Sequence, residues 1–120
     1  MSHWKPLLWV GASKKDLQIM PGPVQDVFGF ALHLAQEGGR HTQTKALSGF
    51  GSNAVLEMVD DYDGNTYRGV YTVRFGSAVY VLHCFQKKSK KGIETTQHDI
   101  QLIKQRLKAA QDHAEANQRD

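Results

Sequence analysis

Residues 54–85 read AVLEMVDDYDGNTYRGVYTVRFGSAVYVLHCF, and the fold class turns on this stretch. Asp63-Gly64-Asn65 is tight-hairpin chemistry, because glycine and Asx residues enter positive-φ backbone at little cost. The flanking segments are β-compatible: Ala54 to Asp60 on one side, and Thr66 to Arg74, rich in Tyr, Val and Thr, on the other. Phe75-Gly76-Ser77 supplies a second turn. Ala78 to Phe85 then runs nearly all apolar, as a strand covered on both faces does. Consecutive strands joined by short turns make an antiparallel sheet.

Working outward, Trp4 to Val10 is apolar and aromatic and is closed by Gly11, which predicts a buried first strand. Ser13 is placed to N-cap a short helix over Lys14 to Met20, with Asp16 at the capping-box position. Pro21-Gly22-Pro23 then breaks the backbone. Val24, Val27, Phe28, Ala31, Leu34 and Ala35 recur at helical period and predict a second helix, ended by Gly38-Gly39. Arg40 to Asn53 is polar and reads as a loop. On the C-terminal side, Gly92 breaks the chain and a last helix begins near Glu94. Its apolar stripe is narrow: Ile100, Ile103, Leu107 and Ala110. The order β-α-α-β-β-β-α predicts one α+β domain over residues 1–110, an antiparallel sheet packed on by helices. Residues 111–120 read as a polar, fraying tail.

At 120 residues, with 40% hydrophobic and 22% charged, the chain has the balance of one globular domain, not of a disordered segment. No apolar run approaches the roughly 20 residues of a membrane span. No basic stretch followed by an apolar segment opens the chain, so the expected compartment is the cytoplasm. Cys84, the one cysteine, excludes an intrachain disulfide and a cysteine zinc cluster. The net charge is +3. Lys87, Lys88, Lys90 and Lys91 form a cationic run, and Glu57, Asp60, Asp61 and Asp63 an acidic patch. A positive excess remains with both set aside, which favours a phosphate-bearing partner.

The chemistry-bearing residues sit on the last two strands. Period-two counting puts Arg68 and Arg74 on one face of the middle strand, separated by roughly 20 Å of strand, too far apart to share a phosphate. Antiparallel pairing brings Arg68, rather than Arg74, beside the end of the last strand. His83, Phe85 and Lys87 emerge there on one side if the strand continues that far. An imidazole, a ring that stacks on a base and an ammonium suit an RNA grip, and Arg68, Lys87 and Lys88 suit a phosphate. The plainer reading stays open: a hydrogen-bonded strand histidine, a core phenylalanine and a surface ion pair. Cys84 points away from His83 and reads as core. Asp61-Tyr62-Asp63-Gly64 lacks the first ligand and distant glutamate of a calcium loop. His33, His41, His98 and His113 have no ligand spacing, and there is no phosphate loop or serine nucleophile elbow. No metal and no cofactor are expected.

The run Val79-Tyr80-Val81-Leu82-His83-Cys84-Phe85-Gln86-Lys87-Lys88-Ser89 resembles the phage-related branch of the RelE/HigB toxins of type II toxin–antitoxin modules. Trp9-Val10-Gly11, Ser13 to Leu17, Lys45 to Gly49, Thr66 to Arg74, Ile100 and Arg106-Leu107 extend the likeness over roughly Lys5 to Ala110. The resemblance implies the same β-α-α-β-β-β-α fold and metal-independent cutting of mRNA, commonly in the ribosome. The ribose 2′-hydroxyl attacks the adjacent phosphate, leaving a cyclic phosphate and a 5′-hydroxyl. It implies Arg68 as a transition-state phosphate contact, with Lys87, Lys88 and His83 in the catalytic group. Lys45, Arg74, Phe85, Lys90 and Lys91 then belong to the RNA-binding rim. The implied partners are mRNA, the ribosome and a cognate helix-turn-helix antitoxin. Several relatives carry a tyrosine in the last helix, whereas no tyrosine follows Tyr80 here. A gyrase-inhibiting toxin of the ParE branch and a non-enzymatic, phage-derived binding module are the alternatives.

Overall fold

The computed structural model describes residues 4–51, 54–87 and 96–117. The elements run β1 (Leu7–Trp9), α1 (Ser13–Gln18), α2 (Gly22–Gln36), β2 (Thr44–Ala46), β3 (Val55–Tyr62), β4 (Asn65–Thr72), β5 (Val79–Lys87) and α3 (Gln97–Asn117). The sheet has five strands in the order β1-β5-β4-β3-β2, so the α+β reading holds.

The β3–β4 hairpin forms where the sequence places it. Tyr62 pairs with Asn65, leaving Asp63 and Gly64 as a two-residue turn with φ of 51° and 80°. Two successive positive φ angles define the turn whose twist matches the strands it joins. Two corrections concern the edges. β1 pairs parallel with β5, Leu7 opposite Val79, so the sheet is mixed rather than wholly antiparallel. The stretch read as a loop contains β2, which pairs antiparallel with β3, Lys45 opposite Glu57. A three-residue polar edge strand carries no alternation to betray it.

Helices cover both sheet faces. On one face α1 and α2 bury Leu17, Phe28, Ala31 and Leu32 against Leu56, Met58, Tyr71 and Val81. In α2 Leu32 is buried with Val24, Phe28, Ala31 and Ala35, whereas Leu34, favoured by the sequence pattern, is half-buried. This helix starts at Gly22, inside the expected break, because prolines are tolerated in a first turn. A Cβ built on Gly69 of β4 would lie 2.6 Å from Met58 Cε and 3.2 Å from the Phe28 ring, so α2 seats directly on a bare strand position. Ser13 does not cap α1. Its buried hydroxyl donates instead to the Val81 carbonyl at 3.1 Å, and the N-cap position falls to Ala12.

On the other face α3 buries Ile103, Ala110 and Ala114 against a layer that includes Val55, Val70, Tyr80 and Leu82. It continues as helix to Asn117, through most of the stretch expected to fray. Its start near Glu94 lies outside the described residues, and Thr96 accepts the Asp99 backbone N–H as an N-cap. Polar contacts tie α3 to β5. Asp99 meets His83 Nε2 at 2.8 Å, Arg106 donates to the Leu82 carbonyl at 2.9 Å, and His113 Nδ1 lies 2.8 Å from the Tyr80 hydroxyl. Among the described residues no helix is long and apolar enough to cross a membrane.

Candidate functional site

A β-bulge shapes the site. Val70 pairs with His83 whereas Tyr71 pairs with Val81, leaving Leu82 as an extra residue on β5. Leu82 therefore packs towards α3, and His83 faces the same helix through Asp99. The bulge resets the alternation, and from His83 onward Phe85 and Lys87 share the α3-facing side by strand period. The rings of His83 and Phe85 stack, centroids 4.5 Å apart and planes 17° from parallel.

On the same face Arg68 of β4 reaches across to Glu57 of β3. Nη1 donates to Oε2 at 2.8 Å, and both side chains are almost wholly buried, at 5% and 2% exposure. Lys45 of β2 brings its exposed ammonium to 4.0 Å from the other carboxylate oxygen. Lys45, Arg68, His83, Phe85 and, by register, Lys87 thus occupy one face of a sheet that draws them from β2, β4 and β5. Arg74 is not with them. β4 ends at Thr72, and Arg74 lies beyond it, exposed, with Nη2 donating to the Phe50 carbonyl at 3.2 Å. Lys88, Lys90 and Lys91 lie outside the described residues.

The imidazole of His83 has both nitrogens engaged. Arg106 Nη1, 3.4 Å from Nδ1, can only donate, so the ring proton sits on Nε2 and is given to Asp99. Burial holds the His83 pKa below its usual value, with the Asp99 carboxylate pulling the other way. The neutral ring is therefore fixed in one tautomer and one orientation, an arrangement that positions rather than frees it. On the opposite sheet face Cys84 is buried as expected, and desolvation pushes its thiol up to about 12. Among the described residues no group of three or more His, Cys, Asp or Glu side chains is placed to hold a metal ion.

Three residues given no site role from the sequence complete this face: Glu57, Asp99 and Arg106. Glu57, a member of the acidic patch by sequence, is buried at 1% exposure, away from Asp61 and Asp63 in solvent. Its signal was present, a lone acid between Leu56 and Met58 in an apolar run. Asp99 and Arg106 meet β5 across long sequence separations, and those pairings leave no local signature.

The chain is a mixed α+β domain carrying cations and stacked rings on one sheet face. The family model for phage-derived Gp49-like proteins matches residues 15–108, most of the chain, and the chain belongs to that family. No curated protein and no solved structure matches it.

Proposed function

We propose that this Gp49-like chain is the toxin of a type II toxin–antitoxin module and cuts mRNA without a metal in the cytoplasm. The observation that carries the reading is the convergence of Lys45, Arg68, His83, Phe85 and Lys87 on one sheet face from three strands. In this reading the 2′-oxygen bonds to phosphorus as the 5′-oxygen departs, giving the cyclic phosphate and a 5′-hydroxyl. The proton lost by the 2′-hydroxyl passes to solvent or base, and the departing oxygen gains one. The ammoniums of Lys45 and Lys87, together with the lysine run that follows in sequence (Lys88, Lys90 and Lys91), offset the charge that builds on the phosphorane in this reading. The half-buried Phe85 ring, backed by the buried His83, offers a platform for a base in this reading. Arg68 is locked to Glu57, whose carboxylate fixes where the guanidinium points and offsets its charge, so the net positive charge of this trio comes from Lys45. A helix-turn-helix antitoxin neutralises the toxin by covering this face, and the complex represses its own promoter.

The test is purified protein added to translating ribosomes, with mRNA ends mapped. Cleavage leaving 5′-hydroxyl ends is expected, and a Lys45→Ala, Lys87→Ala double variant should slow it on the order of a hundredfold. Lys45 is exposed, so its removal should leave melting almost unchanged. Full cleavage by that variant with Lys88→Ala added would defeat the assignment. One observation favours a second reading: Arg68 and His83 are each held by a carboxylate. A toxin that blocks gyrase by docking, or a plain binding module, needs no free acid–base group. DNA-damage signalling without mRNA cleavage identifies the first, and expression without growth arrest the second.

A further inference from the structure

On the other side of the sheet, away from the cationic face, aromatic rings form a continuous surface chain. Trp4 meets His33 with centroids 4.9 Å apart, His33 lies nearly parallel to Phe30 at 6.5 Å, and Phe30 meets His41 edge-on at 5.6 Å. Trp4 precedes β1, Phe30 and His33 lie on the outer side of α2, and His41 lies between α2 and β2. Folding does not account for this arrangement. Trp4 is 48% exposed and Phe30 54%, and neither belongs to the α2-side core. Large rings left in water forgo the burial that normally places them inside.

Cations flank the chain. Lys5 follows Trp4 and Arg40 precedes His41, and both line a cleft of about 310 Å³ with Ala35, Gly38, Gly39, Leu56 and Val73. Two acids border the rings: Asp26, exposed one turn before Phe30 on α2, and Glu37, which is engaged by His33 Nε2 at 2.7 Å. Exposed ring faces interleaved with positive charge are complementary to a ligand that alternates flat bases with phosphates.

We propose that Trp4, Phe30, His33 and His41, with Lys5 and Arg40, form a binding platform for single-stranded nucleic acid. Bases stack on the rings and phosphates enter the Lys5–Arg40 cleft. This site lies on the opposite sheet face from Lys45 and Arg68 and stands whether or not that face cuts RNA.

The chain has two tryptophans, so a Trp9→Phe protein leaves Trp4 as the sole indole emitter. It should be titrated at low salt with 2′-O-methyl oligouridine, which lacks the hydroxyl needed for cleavage, and in parallel with oligothymidine. Quenching of Trp4 emission is expected, with affinity falling about tenfold on adding Phe30→Ala, and a further salt-sensitive loss with Lys5→Ala, Arg40→Ala. Equal quenching by both oligomers means stacking and phosphate contact alone; stronger quenching by the ribose oligomer adds a sugar contact. Either supports the platform. Absence of binding overturns it, as does binding without quenching that Phe30→Ala leaves intact and Lys45→Ala, Lys87→Ala abolishes. The latter result would place the nucleic acid on the α3 side and leave the nuclease reading standing.

Discussion

Replacing Arg68 by alanine is the most informative single perturbation, because it strands a charge. Glu57 is 1% exposed, and its Oε2 accepts from the Arg68 guanidinium at 2.8 Å. Removing one partner of a buried ion pair costs about 3–5 kcal/mol, chiefly through the uncompensated ion left behind. Lys45 Nζ stays 4.0 Å from the other carboxylate oxygen and relieves part of that penalty. The expected loss is therefore near the bottom of the range, about 3 kcal/mol, or roughly 12 °C in melting temperature for a domain of this size. Urea unfolding followed by circular dichroism measures it. Replacing both residues with apolar side chains of similar volume, Arg68→Met with Glu57→Leu, should recover most of the loss, since neither charge then has to be desolvated. If Arg68→Ala costs under 1 kcal/mol, or the double variant is as unstable as the single one, the pair does not hold β3 to β4. The same arithmetic governs activity assays: a dead Arg68→Ala protein says nothing of phosphate contact until its folded fraction is known.

Two further outcomes follow from burial. Because desolvation lowers the His83 pKa below 6.5, the unfolded chain binds the proton more tightly than the folded one. Stability should hold above about pH 6.5 and fall as pH drops below it towards the folded-state value; a His83→Gln variant should show a flatter unfolding profile across that window, and an unchanged slope would contradict the linkage. Cys84, with its thiol pushed up to about 12, should resist aromatic disulfide reagents at pH 8 in the native protein and react at the rate of global unfolding. Rapid native-state modification would show that β5 opens locally.

The main strands, the second helix and the Asp63-Gly64 turn were legible because each rests on local chemistry: a period, a glycine or a turn dipeptide. What escaped depends on partners distant in sequence. Leu7 to Trp9 reads as a strand, but nothing in those residues says that it runs parallel to β5. The cap assigned to Ser13 failed because a carbonyl on β5 claimed its hydroxyl. Counting by twos linked Arg74 to Arg68, yet β4 stops at Thr72 and the count loses meaning beyond it. The same counting succeeded for His83, Phe85 and Lys87, which all lie past the bulge. Composition misled at the C-terminus, where Ala110 and Ala114 suffice to bury one side of an otherwise polar helix.

The fastenings of α3 carry a mechanical consequence. Asp99, Arg106 and His113 recur about two helical turns apart, and each meets β5 at its own point: His83, the Leu82 carbonyl and the Tyr80 hydroxyl. A greasy seam tolerates sliding, because one methyl replaces another. A row of directional pins does not, since a shift of one turn, about 5.4 Å, unseats all of them together. The last helix therefore has a single keyed seat, engaged or released as a whole like a bolt in its keeper.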